Sequence, residues 1–319
     1  MKPAIENFRP VRATLAVLAL VAFAGPRLRA EEPAGAMAQR RFSSADEAAN
    51  ALVAAAKAGD RPAVDAIFGP GVAELLSGDP KQDSIEFAAF AKSVGQYARL
   101  VRKADDRYAL NIGAQNWPMP IPVVRKDGKW FFDTAAGKDE IINRRVGKDE
   151  ITAIGVCRTY VLAQREYASE DRDASGVFKY AQRIRSSPGS RDGLYWHAAP
   201  DEEQSPFGPL MAEARAQGYG GKTADGQPQP FHGYLFRILT AQGPAAPGGA
   251  YDYVINGNMI AGFALAAYPA HWGESGIMTF IVNQWGRVYE CNLGPQSAEI
   301  ASAMTEFNPD AGWAPVPQP

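Results

Sequence analysis

The chain has 319 residues, of which 46% are hydrophobic and 21% charged, enough apolar material for two domains of ordinary size. Its formal net charge is −2, and removal of residues 1–30 takes away five of 33 basic and one of 35 acidic side chains, leaving about −6. This acidic balance excludes nucleic acid and anionic membrane surfaces as expected partners.

Residues 1–30 have the pattern of a secretory signal peptide. A basic start that includes Lys2 precedes the apolar run 13–24, ATLAVLALVAFA, and the small residue Ala30 stands at the predicted cut. Twelve helical residues rise about 18 Å, whereas the apolar core of a bilayer is roughly 30 Å thick. No later run approaches eighteen apolar residues, so we expect no transmembrane anchor after cleavage. We predict a periplasmic or secreted protein with residues 31–42 as a flexible leader.

Residues 43–137 are predicted to form an N-terminal domain of helices followed by a short antiparallel sheet. Ser44 and Glu47 have the spacing of a capping box at the start of the first helix. The spacing of apolar residues predicts a long third helix over 83–103. An Asp-Gly turn at 127–128 lies between two apolar runs and predicts a β-hairpin.

This order of elements, ending on the hairpin DGKWFF, resembles the cone-shaped fold of nuclear-transport-factor-2-like domains over roughly residues 43–135. The resemblance implies a cavity for a small apolar ligand. This half contains no histidine, so it has no catalytic Asp-His pair. The candidate cavity residues are Phe87, Phe90, Tyr97, Trp117 and Trp130.

Residues 138–307 are predicted to form a second domain, with a long helix that begins near 138 and resumes after Gly147. Shorter helices are predicted over 177–184 and 205–217. Four strand-like runs follow at 233–241, 258–268, 276–283 and 286–293. We therefore expect an α+β fold in which the long helix packs on a four-stranded antiparallel meander. Four prolines in residues 308–319 predict a loose tail.

Residues 148–290 resemble the globular part of type IV pilins and type II secretion pseudopilins. In those proteins a helix of the form E-x-x-A-I…A-Q-x-x-Y packs on a meander that closes with F-x-x-x-Q-x-G-x-V. Both patterns are present here, in EITAI, AQREY and FIVNQWGRV. The helix is internal and charged, so the resemblance implies a pilin-like module without the filament-forming segment.

Several longer stretches resemble one uncharacterised bacterial family, domain-of-unknown-function family 2950. They include DGKWFFDTAAGKDEIINRRVGKDE, SSPGSRDGLYW, FHGYLFRILTAQG and SGIMTFIVNQWGRVYECNLG, and together the matching stretches span residues 43–295. The resemblance implies an exported protein of the bacterial envelope and supplies no activity.

One polar loop has the start of a calcium-binding pattern. Asp171, Asp173 and Ser175 stand at ligand positions 1, 3 and 5, and the carbonyl of Val177 would be a further ligand. The twelfth position is Gln182, where such loops need a bidentate Glu. We expect at most weak Ca²⁺ binding and no other cofactor; the alternative is an ordinary polar turn.

Cys157 and Cys291 are the only cysteines, and in an oxidising compartment they are a candidate disulfide. The alternative is two separate apolar side chains. The three histidines, His197, His232 and His271, lie in no HxH or HxxxH spacing and predict no zinc site.

Aromatic side chains are dense in the loops of the second half, where they can form a stacking surface for another protein. We therefore predict a non-enzymatic envelope protein that binds another envelope protein or assists assembly. Alternatives are binding of a small apolar ligand in the first half, which a cavity would favour, and an envelope hydrolase. His232 or His271 bonded to a carboxylate in a cleft would favour the hydrolase. The candidate binding residues are Tyr195, Trp196, Phe231, Tyr251, Tyr253 and Trp272.

Overall fold

The computed structural model describes residues 38–217, 219 and 229–318. The predicted signal peptide, its cleavage position and most of the predicted leader lie outside these residues. The end of the leader is part of the fold, because Gln39 donates a hydrogen bond to the Phe132 carbonyl at 2.6 Å and Phe42 exchanges backbone hydrogen bonds with Trp130. None of the helices in the described ranges is long and apolar enough to cross a membrane.

The first half of the fold consists of three α-helices packed on one antiparallel sheet. The helices are α1 (Ala45–Ala58), α2 (Arg61–Phe68) and α3 (Pro80–Gln96), with a 3-10 turn over Pro70–Leu75 between α2 and α3. The strands are β1 (Ala98–Ala104), β2 (Arg107–Ile112), β3 (Trp117–Pro118), β4 (Val123–Lys126) and β5 (Lys129–Phe132). Strands β1, β2, β4 and β5 are neighbours in that order, and β3 pairs with β2.

Local sequence explains the ends of these elements. The Ser44 hydroxyl accepts a hydrogen bond from the Glu47 backbone N–H at 3.1 Å, so the predicted N-terminus of α1 is confirmed. Asp127 and Gly128 both have positive φ, 54° and 74°, which the tight turn of the β4–β5 hairpin requires. The predicted hairpin is therefore confirmed.

The predicted helix over 83–103 is wrong at its C-terminal end. The backbone turns extended at Tyr97, with φ −159° and ψ 137°, and β1 then pairs with β2 along its length. The apolar residues of this segment fit helical spacing, but the sheet satisfies the same backbone groups and buries one face of the strand.

The second half of the fold combines a 34-residue helix, α4 (Thr134–Tyr167), with an antiparallel sheet. Two short helices complete it, α5 (Gly208–Ala216) and α6 (Ser297–Ala303), with a 3-10 turn at Gly294–Gln296. The strands are β6 (Tyr234–Leu239), β7 (Ala241–Gln242), β8 (Tyr251–Asp252), β9 (Val254–Ile255), β10 (Asn258–Met259), β11 (Ala264–Pro269), β12 (Thr279–Asn283), β13 (Val288–Cys291), β14 (Glu306–Phe307) and β15 (Ala314–Pro315).

Strands β6, β11, β12 and β13 are neighbours in that order in one antiparallel sheet, the meander. Helix α4 packs against β11, β12 and β13. Strands β11 and β12 are buried along their whole length, as expected for the centre of a sheet covered on both sides. The predicted α+β class is confirmed.

Two predictions for the second half are wrong. Residues 177–184 form no helix; Tyr180 instead donates a backbone hydrogen bond to the Met259 carbonyl at 2.8 Å. The Pro-rich tail is not loose. Its strand β15 pairs with β13 and forms the edge of the sheet, and the backbone N–H of Val316 donates to the Val288 carbonyl at 2.9 Å. Proline is tolerated there because an edge strand needs hydrogen bonds on one side only.

The two halves have separate hydrophobic cores. The first core contains α1, α2 and the first sheet, and the second contains the C-terminal part of α4 and the meander. Ile141 of α4 packs on the first core, whereas Ala153, Cys157 and Tyr160 belong to the second. One continuous helix therefore contributes to both cores; the predicted division into two domains stays a prediction.

Candidate ligand cavity

A cavity of about 390 Å³ lies in the first half, between α2, α3, the sheet and the start of α4. This volume is within the range of small-molecule sites. Its walls are mostly apolar. The apolar lining residues are Val64, Phe68, Val72, Leu75, Leu76, Ile85, Phe87, Ala89, Phe90, Ile112, Trp117, Met119, Pro120, Ile121 and Ile141.

Residues of α3 and α4 form opposite parts of the cavity wall. Phe87 and Phe90 of α3 are only half-buried, although Phe90 lies 6.3 Å from the Phe68 ring. At the other wall α4 closely approaches the connection between β3 and β4 at Gly137, where a Cβ atom would lie 2.7 Å from Ile121. The absence of a side chain at Gly137 thus sets the position of α4 against the first half.

Charged side chains from three helices interrupt the apolar lining. On α2, Arg61 pairs with Asp65 at 3.0 Å. Arg145 of α4 is 95% buried, since its relative exposure is 5%. Its guanidinium donates to the Leu75 carbonyl, and its Nε lies 3.5 Å from a carboxylate oxygen of Glu86 on α3.

Lys148 lies one turn further along α4, is solvent-exposed, and also borders the cavity. The Nε of Arg145 has no hydrogen-bond partner among the residues that the structure describes. A buried guanidinium N–H without a hydrogen bond is costly, and this one lies at ion-pair distance from Glu86, so an additional acceptor placed beside it would be favoured.

The neighbouring carboxylate of Asp149 is fully buried at the junction of α4 with α3. It accepts two hydrogen bonds from the Gln82 amide, at 3.0 and 2.9 Å. Burial, with a smaller contribution from the Glu86 carboxylate, raises the pKa of Asp149 to about 7, against the lowering effect of the Gln82 hydrogen bonds. Glu150 faces the other way and accepts backbone hydrogen bonds from Ile277 and Met278, both at 3.0 Å.

The structure brings together three of the five predicted cavity residues, Phe87, Phe90 and Trp117. Tyr97 caps α3 and is 38% exposed outside the cavity. Trp130 packs edge-on against Tyr108 at 5.4 Å in the first core. Sequence analysis did not predict Arg145 or Lys148 as cavity residues; the inward turn of a single arginine on a charged helix has no local signature.

The six aromatic residues predicted as a binding surface do not form a common exposed surface. Tyr195, Trp196 and Tyr253 are buried in the second core. They therefore contribute to folding rather than to a stacking surface. Phe231 is partly buried and packs on Tyr219 at 5.2 Å. The most exposed of the six are Tyr251 and Trp272, each 37% exposed.

The predicted calcium loop is closed by its own hydrogen bonds. The Asp171 carboxylate accepts from the Ser175 and Gly176 backbone N–H groups at 3.1 and 2.7 Å. Asp173 pairs with Lys179 at 2.7 Å, and Gln182 donates to the Gly257 carbonyl at 2.8 Å. In the described ranges, no group of three or more His, Cys, Asp or Glu side chains is placed to hold a metal ion. Val177 and the other proposed ligands remain a prediction.

Cys157 and Cys291 are free thiols in the structure rather than a disulfide. Cys157 is fully buried under the meander, and burial raises the pKa of its thiol to about 12. Cys291 lies at the end of β13 and is half-buried.

Among the residues that the structure describes, His232 and His271 are hydrogen-bonded to Gln217 and Ser275. The Nε2 of His232 is 2.7 Å from the Gln217 side-chain oxygen. The backbone N–H of His271 donates to the Ser275 hydroxyl at 3.0 Å. Within the described residues neither imidazole has a carboxylate hydrogen-bond partner. The histidine–carboxylate hydrogen bond that would favour a hydrolase is therefore not seen among them.

Comparison with known proteins gives one match. A family model with the description "Protein of unknown function (DUF2950)" matches residues 39–316, nearly the whole described chain. No curated protein and no solved structure matches the chain.

Proposed function

Because the chain belongs to the DUF2950 family, whose description names no activity, we propose a function from the chain's own geometry: it is an exported bacterial envelope protein that binds a small, largely apolar ligand between α2, α3 and α4. The observation that carries the proposal is the cavity of about 390 Å³ with a mostly apolar wall. Water gains few hydrogen bonds from such a wall, so an apolar ligand that displaces it is favoured.

The order of helices and sheet in the first half supports this proposal, since it is the order that resembles nuclear-transport-factor-2-like cones. The predicted export signal and the predicted pilin-like order of the second half support a location in the bacterial envelope. Protein binding stays an alternative. It is favoured by two highly exposed aromatic side chains of the second half, Trp285 at 69% and Phe178 at 65%.

The proposal is tested with N-phenyl-1-naphthylamine, a neutral dye whose fluorescence rises in apolar sites. We expect saturable binding to the purified mature chain. Substitution Ala89→Phe places a large side chain in the lining of the cavity and should weaken binding roughly tenfold or more, because the ring occupies the ligand's volume.

The matched control is Ala88→Phe. Ala88 is the preceding residue of α3, is equally exposed, and does not line the cavity. This variant adds the same apolar surface to the protein and should bind the dye like the wild type. Equal loss of binding in both variants, or no saturable binding to the wild type, would contradict the proposal.

A further inference from the structure

We propose that the ligand of this cavity carries an anionic head, a carboxylate, which binds between Arg145 and Lys148 while its apolar tail contacts Phe87 and Phe90. This inference rests on the proposed function and specifies its ligand class: an amphiphilic monocarboxylate. It rests on the hydrogen bonds and ion pairs of the charged side chains in the cavity wall, which differ from one residue to the next.

Two of the acidic groups in the wall are already satisfied. Asp65 accepts from Arg61 on the same helix at 3.0 Å. Asp83 accepts hydrogen bonds from both the backbone N–H and the hydroxyl of Ser77, each at 2.8 Å. These carboxylates are engaged in holding α2 and the start of α3, so they have little capacity left to attract a cationic ligand.

Glu86 is held in a different way. One of its oxygens accepts from the Gln82 amide at 3.2 Å, and the other lies 3.5 Å from Arg145 Nε, beyond a good hydrogen bond. The Arg145 guanidinium is therefore anchored at one end by the Leu75 carbonyl and retains an unpartnered N–H at the other, within the described residues. A carboxylate is the acceptor that a guanidinium binds best, through two parallel hydrogen bonds.

Lys148 supplies a second positive charge. It follows Arg145 by three residues, so the two side chains lie on neighbouring positions of one helix face. In the described part of the chain its ammonium forms no ion pair. Because Lys148 is exposed, the head would sit where water still reaches it, and only the tail would need an apolar environment. A charged head that water reaches and a tail in an apolar environment are the two parts of an amphiphile.

The experiment uses the full mature chain loaded with N-phenyl-1-naphthylamine and displaces the dye with three ten-carbon compounds at neutral pH. Decanoate carries the proposed carboxylate, decan-1-ol is its neutral counterpart, and decyltrimethylammonium is its cationic counterpart. We expect decanoate to displace the dye at a concentration roughly tenfold lower than decan-1-ol, and the cation to be the weakest, since a charged hydrogen bond contributes about this much.

Variants then assign the effect to the proposed residues. Lys148→Gln should raise the decanoate concentration needed severalfold and leave decan-1-ol unchanged. Lys92→Gln, an exposed lysine of α3 outside the lining, is the matched control and should change neither. Arg145→Lys retains the positive charge and should lose part of the preference for decanoate, because an ammonium lacks the planar pair of donors.

The outcomes separate this inference from the proposed function. Equal displacement by decanoate and decan-1-ol would overturn the anionic head and leave the apolar cavity in place. Stronger displacement by the cation would do the same and would assign the head to Glu86. A loss of decan-1-ol binding in Lys148→Gln equal to that of decanoate would show that Lys148 acts on the fold and would also overturn the inference.

Discussion

Asp149 is the residue whose surroundings differ most from those of an ordinary carboxylate. It has no exposed surface, and its hydrogen bonds come from the uncharged Gln82 amide rather than from a basic side chain. Burial disfavours the charged form, which is why the pKa of Asp149 rises from 3.8 to about 7. The side chain therefore makes the stability of the fold depend on pH near neutrality.

We predict that the free energy of unfolding falls as the pH rises from about 4 to about 7. In this window the folded chain retains the proton that the unfolded chain releases, so a higher pH favours unfolding, by roughly 4 kcal/mol at most. Asp149→Asn removes the titrating group and should flatten this slope. Urea unfolding at pH 5 and pH 8 measures it in both proteins.

The control for this prediction is Asp139→Asn. Asp139 is an exposed carboxylate of the same helix, so its neutralisation should leave the pH dependence of unfolding as in the wild type. A wild-type slope that persists in Asp149→Asn would assign the pH dependence to other groups.

At the scale of elements, α4 is a helix that contains three glycines with unequal roles. Gly137 lies against the backbone of Ile121. A Cβ atom added at Gly137 would lie 2.8 Å from the Cα atom of Ile121. Gly147 and Gly155 have open space at the same position. The helix therefore needs a glycine at its N-terminal contact with Ile121 and not at its centre.

We predict opposite effects of the same substitution at two of these glycines. Gly147→Ala should stabilise the chain by up to about 1 kcal/mol, because alanine favours the helix and meets no atom. Gly137→Ala should destabilise by roughly 2 kcal/mol or more, because the methyl group must displace the backbone of Ile121. Thermal melting of both variants measures this, and a stabilised Gly137→Ala would disprove the close contact.

At the scale of the molecule, α4 joins two cores that share few side chains. Across the junction, Thr134 donates to the Phe68 carbonyl at 2.7 Å, and the Gln82–Asp149 and Arg145–Leu75 contacts lie further along. These bonds tie the N-terminal half of α4 to the first half of the fold, while the rest of the helix completes the second core.

We therefore expect residues 138–319, expressed alone, to form a soluble fragment that melts cooperatively. It retains every member of the second core, but Arg145 and Asp149 lose their partners, so it should melt at a lower temperature than the mature chain. Calorimetry of both proteins measures this. A fragment without a cooperative transition would show that the two cores depend on each other.

Export gives a second prediction for the whole molecule. We expect protein recovered from the periplasm or medium to begin near Glu31, because the predicted cleavage position of the predicted signal peptide follows Ala30. N-terminal sequencing of that fraction is the measurement. A chain that retains Met1, or that accumulates in the cytosol, would contradict export.

Local sequence alone was sufficient for the elements whose determinants lie within a few residues. The Ser44 cap, the Asp127–Gly128 turn and the strands of the meander are set by hydrogen bonds and backbone preferences that act over short distances. The α+β class follows from the order of these elements.

Tertiary structure decided the rest, because it depends on which distant groups come into contact. The segment from Ala98 to Ala104 is a strand rather than a helix because β2 is available to pair with it. The tail is ordered because β13 has a free edge. Phe87 and Phe90 pack against the first core and also line the cavity, and Arg145 of α4 borders the same cavity from another element. No spacing within the sequence specifies the distance between two helices.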